Sequence, residues 1–264
     1  DAARRRFGAR ARLLPCLSHY EIFARLCAAR GRIRPLAVVP VENSSEGPVT
    51  QTLDQLAHHP RVTILDSFSL PVQQHLLARP GTTLARLRRV CSHPQALGQC
   101  RATLARLLPK AELIPEASTS AAARRAAQED GTAAIASETA ARLHGLAVLR
   151  PDVQDGGENV TRFFTLSADA AARPRRAKDA ELRSLIHLVI GNRPGALLHV
   201  LAPFDASGVN LTFIQSRPLP GRPWEYGFFI EAVTDWKSAP ARAAWKMVCA
   251  LSESGRKIGT YPVG

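Results

Sequence analysis

The stretch Asn159-Val160-Thr161-Arg162-Phe163 puts an amide, a hydroxyl and a guanidinium at the mouth of an apolar, β-prone run, Phe163-Phe164-Thr165-Leu166. A turn signal, Asp155-Gly156-Gly157-Glu158, leads into it. A hydroxyl and a guanidinium at such a strand mouth can point into a cleft rather than into solvent. The plainer alternative is a strand start with surface polars, Arg162 then making a salt bridge to a nearby acid. Four upstream polar sets favour a site: Glu42-Asn43-Ser44, Ser92-His93, Ser118-Thr119-Ser120 and Ser137-Glu138. Each falls where the chain passes from strand or irregular structure toward an expected helix N-terminus. Free N–H groups and the helix dipole make such ends anion sites, worth about 0.3–1 kcal/mol where exposed. In open α/β sheets they gather at the carboxyl ends of the strands, which suits a small carboxylate ligand.

The elements that must position these residues alternate. Residues 36–41, 62–68, 89–91 and 132–136 read as strands, with another beginning at Leu76-Leu77-Ala78. Helices are expected over 49–56 and 96–108, Pro94 fitting the first helical position with Ser92 or His93 as cap. Glu116 to Ser120 opens an alanine-rich helix, and another follows Ser137-Glu138. The pattern is that of a layered α/β domain. Residues 168–183 are alanine-rich and charged and read as a linker. Beyond it come a strand at 184–190, the turn Asn192-Arg193-Pro194-Gly195-Ala196-Leu197 and a helix ending near Gly208. Strands at 209–216 and 225–233, a helix at 239–252 and a strand near 257–261 complete a ferredoxin-like βαββαβ order.

Composition sets bounds. The 264 residues suffice for one large or two ordinary domains, and 45% hydrophobic with 22% charged residues is globular in character. No run is long enough to span a bilayer and no signal-peptide pattern is present, so a cytoplasmic location is expected. Five dispersed cysteines, Cys16, Cys27, Cys91, Cys100 and Cys249, suit reduced thiols. No spacing reads as a metal site, and His58-His59 lacks an i,i+4 partner. A net charge of +13 raises nucleic-acid binding, testable by a salt-dependent shift with duplex DNA. Yet the arginines are spread among alanines and leucines with only 6% aromatics, which reads as a solvated basic surface that could attract an acidic substrate.

Taken in order, several segments together resemble the prephenate dehydratase family with a C-terminal ACT module. They are Val38-Val39-Pro40-Val41-Glu42-Asn43-Ser44, Ser92-His93-Pro94-Gln95 with Gln99-Cys100, Ser118-Thr119-Ser120-Ala121-Ala122 and Asn159 to Phe163. In the C-terminal part they are Pro194-Gly195-Ala196-Leu197, Val209-Asn210-Leu211-Thr212, Ser216-Arg217-Pro218 and Gly259-Thr260-Tyr261-Pro262. The resemblance implies a bilobal, periplasmic-binding-protein-like dehydratase domain over 1–167, with lobe one at 1–72 and 149–167 and lobe two at 73–148. A linker at 168–183 and an ACT regulatory domain at 184–264 would follow, and the two crossings between lobes would form a hinge over substrate.

It also implies loss of carbon dioxide and water from prephenate to give phenylpyruvate. Aromatisation supplies the driving force, so no cofactor or metal is required. Thr161 would be the acid, with Ser92, Gln99, Glu42 and Asn43 completing the catalytic set. Ser44, His93, Ser118, Thr119, Ser120, Arg162 and Phe163 would bind substrate. L-Phenylalanine would bind between two ACT modules at Asn192, Gly195, Ala196, Leu197, Asn210, Leu211, Thr212, Gln215 and Ser216, making the protein a homodimer or homotetramer.

Two departures stand out. The family's opening strand and Gly-Pro-x-Gly-Thr-type loop would precede Asp1, so a chain beginning there is expected to be a fragment of low activity. The family's Glu-Ser-Arg-Pro reads here Gln215-Ser216-Arg217-Pro218, which removes a charge from the effector site. Arogenate dehydratase is a close alternative that the residues do not separate. A non-catalytic amino-acid sensor with a defunct lyase half is a rival of another class.

Overall fold

The computed structural model describes residues 2–29, 34–156, 159–174 and 180–263. In chain order the first elements are helices α1 (Ala2–Phe7) and α2 (His19–Ala28), strands β1 (Ala37–Asn43) and β2 (Gly47–Pro48), helix α3 (Thr50–His58) and strand β3 (Thr63–Pro71). Then come β4 (His75–Ala78), β5 (Arg89–Ser92), α4 (Pro94–Gln99), α5 (Arg101–Leu107), β6 (Glu112–Pro115), α6 (Thr119–Gln128), β7 (Thr132–Ala136), α7 (Glu138–His144) and β8 (Ala147–Arg150). The remainder is β9 (Val160–Ser167), β10 (Leu182–Val189), α8 (Ala196–Ala206), β11 (Leu211–Leu219), β12 (Arg222–Ala232), α9 (Ala239–Leu251) and β13 (Ser254–Pro262).

The chain forms two compact units, passing between them at 70/71 and 160/161. The unit spanning residues 71–160 holds one five-stranded sheet of order β6-β5-β7-β4-β8. Strands β6, β5 and β7 run parallel, while β4 is antiparallel to both β7 and β8. Its inner strands β4 and β7 are short and buried along their whole length, as in β7, Thr-Ala-Ala-Ile-Ala, because helices cover the sheet there. Leu76, Val90, Ile135 and Leu104 fill one buried layer, and Leu77 with Ala122, Ala123 and Ala126 of α6 and Ala134 and Ala136 of β7 fills another.

The second unit, residues 2–70 and 161–264, carries two four-stranded sheets. One has the order β2-β1-β9-β3, with β9 antiparallel to β1. The other, β11-β12-β10-β13, is wholly antiparallel and with α8 and α9 completes the expected βαββαβ order. Side chains alternate along its strands. Ile186, Leu188, Ile230 and Ala232 meet α8 and α9, whereas Leu185, Phe229 and Tyr261 share a core with Val39, Ile64 and Phe164 of the first sheet. The two sheets approach closely at Gly259, where a Cβ would lie 2.9 Å from the Ile64 backbone nitrogen.

Three expectations need revision or delimiting. The helix expected over 96–108 breaks at Cys100, because the Asp155 carboxylate accepts from the Ala102 and Thr103 N–H groups (2.5 and 2.7 Å) and starts a fresh helix there. A short strand that was not foreseen, β2, stands between the end of β1 at Glu42-Asn43 and α3, which begins at Thr50. Gly157 and Glu158 of the expected turn, and 175–179 of the linker, lie outside the described residues.

Candidate functional site

The expected site residues fall into two sets, one in each unit. In the unit carrying β1 and β9, antiparallel register pairs Asn43 with Thr161 and Glu42 with Arg162. Opposed residues on paired strands point to the same face and successive ones to opposite faces. Asn43 therefore reaches Thr161: its Nδ2 donates to Thr161 Oγ1 at 2.9 Å. Asn43 Oδ1 accepts from the Ser45 and Glu46 N–H groups (2.9 and 3.1 Å), closing the turn that contains Ser44 and locking the amide's orientation. Thr161 is buried. With its oxygen accepting from Asn43, its own O–H proton is directed elsewhere as a donor, and the amide would stabilise charge developing on that oxygen. Phe163, two residues on, stacks on Phe68 with centroids 5.6 Å apart.

Arg162 takes the other face. Of its two readings, partner for a substrate carboxylate or salt bridge to an acid, the structure shows the salt bridge. Its Nη1 donates to both oxygens of Glu231 (2.8 and 2.7 Å), and its Nη2 lies 3.0 Å from Glu42. The guanidinium also stands over the rings of Phe164 and Phe213. Glu231, fully buried on β12, further accepts from Arg183 Nη1 at 3.1 Å and from the hydroxyls of Thr212 and Tyr261, each at 2.6 Å. Burial alone would raise its pKa. The Arg162 charge and the two hydroxyl bonds outweigh that and hold the carboxylate below its usual range. Burial and the neighbouring Glu231 push the Tyr261 phenol well up, so it stays a donor.

Glu231 was missed from sequence, though a signal exists. Gly227-Phe228-Phe229-Ile230-Glu231-Ala232-Val233 places a lone acid in an apolar run, and an acid in a strand covered on both faces must find a cation.

In the unit of residues 71–160, β6, β5 and β7 run parallel, so their carboxyl ends share one edge of the sheet. The caps expected there form. His93 accepts from Gln95 N with Pro94 in the first turn, Ser118 accepts from Ala121 N, and Ser137 accepts from Ala140 N. Thr119 and Ser120 open α6, where Ser120 Oγ lies 3.3 Å from His144 Nε2. Ser92 is buried and its hydroxyl donates to the Ile135 carbonyl at 2.6 Å, tying β5 to β7. Asn159 Nδ2 donates to Gln99 Oε1 at 3.0 Å, and Asp155 N donates to the Gln99 carbonyl at 2.6 Å. The segment entering β9 thus fixes Gln99 through both its side chain and its backbone.

The expected effector residues lie around α8 and β11. Gly195 caps α8 with φ 77°, a left-handed conformation in which a Cβ would also meet the His199 ring at 3.2 Å. Ala196 and Leu197 begin the helix, and Asn192 is exposed in the turn before it. Asn210 and Leu211 line a concavity of about 350 Å³ with Leu201, Phe204, Asp205, Gly208 and Val209. Thr212 directs its hydroxyl to Glu231, and Gln215 Nε2 donates to the Ser216 carbonyl at 2.8 Å. Among the described residues no helix is long and apolar enough to cross a membrane.

A buried threonine held by an amide, a parallel-sheet edge of helix N-termini suited to carboxylates and a βαββαβ module define an α/β enzyme for small acids with a ferredoxin-like appendage. The family model for prephenate dehydratase matches residues 1–171. A bifunctional chorismate mutase/prephenate dehydratase of Stutzerimonas stutzeri is 33% identical over 261 residues, 99% of this chain and 69% of that protein. Among solved structures, the prephenate dehydratase of Arthrobacter aurescens in complex with L-Phe superposes with a TM-score of 0.87 at 33% identity, covering 99% of this chain and 85% of that one. A structure described as GqqA, a novel type of quorum-quenching acylase, also gives 0.87, at 29% identity, covering 100% and 94%. The chain belongs to the prephenate dehydratase family.

Proposed function

We propose that this protein converts prephenate to phenylpyruvate, the dehydratase step of L-phenylalanine biosynthesis, in the cytoplasm. The observation that carries the mechanism is the Asn43–Thr161 hydrogen bond. Prephenate's ring carboxylate leaves as carbon dioxide, its bonding electrons enter the ring, and the ring C–O bond breaks with release of water. The departing hydroxide needs one proton, and Thr161 is the donor. An alcohol is a weak acid, so transfer comes late, when the leaving oxygen is most basic, and Asn43 stabilises the resulting alkoxide. Gln99 and Ser44 orient the substrate, the α6 N-terminus at Ser118–Ser120 receives a carboxylate, and Ser92 and His93 hold the β5–α4 turn in shape. Arg162 and Glu42 act from behind Thr161, by fixing its strand.

Residues 1–167 constitute the dehydratase domain and 184–264 the regulatory domain. L-Phenylalanine is the effector, bound between two copies of the regulatory domain at Asn192, Gly195–Leu197, Asn210–Thr212 and Gln215-Ser216. One structural neighbour is named an acylase, a chemistry that the nucleophiles here do not suit. Ser92 donates to a backbone carbonyl, and the buried Cys91 and Cys100 thiols are pushed up by desolvation, Cys100 to about 12. Assays with purified prephenate, arogenate and an N-acylated amide decide among the three. Phenylpyruvate formation from prephenate supports this reading, and its absence overturns it.

A further inference from the structure

Glu231 belongs to none of the segments that carry the family resemblance, yet it is the most heavily bonded carboxylate described. Its ligands come from every strand of its own sheet: Arg183 on β10, Thr212 on β11 and Tyr261 on β13, while Glu231 itself is on β12. A fourth ligand, Arg162, comes from β9 of the other sheet. Alternating charges run from Glu42 through Arg162, Glu231 and Arg183 to Glu181. The chain of ion pairs crosses from β1 and β9, where Asn43 meets Thr161, into the sheet that carries the proposed effector residues.

Geometry makes this more than packing. Glu42 and Arg162 are register partners immediately beside the partners Asn43 and Thr161. A cation clamped between Glu42 and Glu231 therefore pins both strands one residue from the reacting hydroxyl. A carboxylate in this setting cannot shift without leaving a buried charge uncompensated. Its position is in turn set by strands β10, β11 and β13 together. Thr212, which donates to it, directly follows Asn210 and Leu211 of the 350 Å³ concavity. A second tie runs in parallel: Arg217 on β11 donates to both oxygens of Asp54 on α3, each at 2.7 Å.

We propose that Glu231 is a positioning residue for the dehydration: through Arg162 it holds the Glu42–Arg162 and Asn43–Thr161 pairs in register, and through Thr212 it makes that register sensitive to the effector-bearing strand. This rests on the dehydratase reading. A residue that only stabilised the fold would lower the melting temperature and leave turnover per folded molecule intact. A positioning residue lowers kcat while leaving KM, which reports ground-state binding.

The test measures kcat and KM for prephenate, and inhibition by phenylalanine, in the complete natural protein and its variants. Glu231→Gln is expected to lower kcat about 10- to 100-fold with KM changed less than about threefold, losses typical of misplaced acid–base groups. Glu231→Asp is expected to recover part of that loss. Thr212→Val, which keeps all the charges, is expected to weaken inhibition by phenylalanine several-fold, within the usual 5–150-fold coupling range. A folded Glu231→Gln protein with kcat within about twofold of wild type overturns the proposal. Should that variant fail to fold, Tyr261→Phe and Thr212→Val decide by kcat measured without phenylalanine: values within about twofold of wild type in both overturn the proposal, and a larger fall in either with KM held supports it. A wild type that does not turn over prephenate overturns the dehydratase reading and this proposal with it, whereas an active wild type beside unaffected variants overturns this proposal alone.

Discussion

Asn43 Nδ2 lies 2.9 Å from Thr161 Oγ1 and donates to it, joining residues 118 positions apart through the register of β1 and β9. The direction of that bond decides the chemistry. A hydroxyl whose oxygen is occupied by a donor has its proton available to a leaving group. If the neighbour were an acceptor, the proton would be spent on it.

Reversing the bond tests this. Asn43→Asp replaces the donor with a carboxylate that accepts from Thr161, and kcat is expected to fall by about 10- to 100-fold. Combining Asn43→Ala with Thr161→Ala should cost little more than Thr161→Ala alone, since the amide acts through the hydroxyl. Strictly additive losses in steady-state kinetics would contradict a shared role.

Gly259 is required by a close approach, since an added Cβ would meet Ile64 N, Cβ and O at 2.9, 3.1 and 3.1 Å. Backbone atoms cannot swing aside as a side chain can. Gly259→Ala is therefore expected to destabilise by about 1–3 kcal/mol. Gly98 in α4 has open space around its Cβ position, and Gly98→Ala is expected to be neutral or stabilising by up to about 1 kcal/mol. Urea melts of both variants check the contrast.

His187 sets a pH dependence. Burial, aided by Arg256, lowers its pKa to about 4 from an unfolded value of 6.5. Between those values the unfolded chain binds the proton and the folded chain does not, so stability falls as pH drops from 6.5 toward 4. The loss amounts to at most about 3 kcal/mol, given 1.36 kcal/mol for each pH unit of difference. His187→Gln should flatten this part of the stability–pH curve. Parallel curves for wild type and variant, measured by denaturant titration, would count against it.

At Gln215 the amide donates to the Ser216 carbonyl. A glutamate there cannot make that bond and instead presents a charge to an amino group. Gln215→Glu is expected to lower the phenylalanine concentration for half-inhibition several-fold, within the 5–150-fold range of such couplings. Calorimetric titration with phenylalanine reads the change directly, and weaker binding by the variant would refute it.

Local chemistry was legible where local rules decide. Ser118, Ser137 and the His93-Pro94 pair cap helices as their types predict, because a side-chain oxygen or ring nitrogen needs only the next turn's N–H. The βαββαβ order was likewise readable from alternating runs. Long-range partners were not. The break at Cys100 depends on Asp155, more than fifty residues away, and no propensity within 96–108 announces it. The short strand β2 between Glu42 and α3 was not foreseen, because it depends on Asn43 closing a turn with its own side chain. Arg162 could be assigned to Thr161's face or the opposite one only once β9 was known to be a regular strand, whose period of two separates neighbours. Glu231 needed the second sheet to be stacked on the first.

The most direct measurement is phenylpyruvate formation from prephenate by the complete natural protein, wild type beside Thr161→Ala, with circular dichroism melts of both. The expected result is steady turnover by wild type, a loss of roughly a hundredfold in the variant and closely similar melts, the signature of a missing acid in an intact fold. A variant that keeps more than about half the wild-type kcat would contradict Thr161 as the proton donor, because losing a general acid costs far more than twofold.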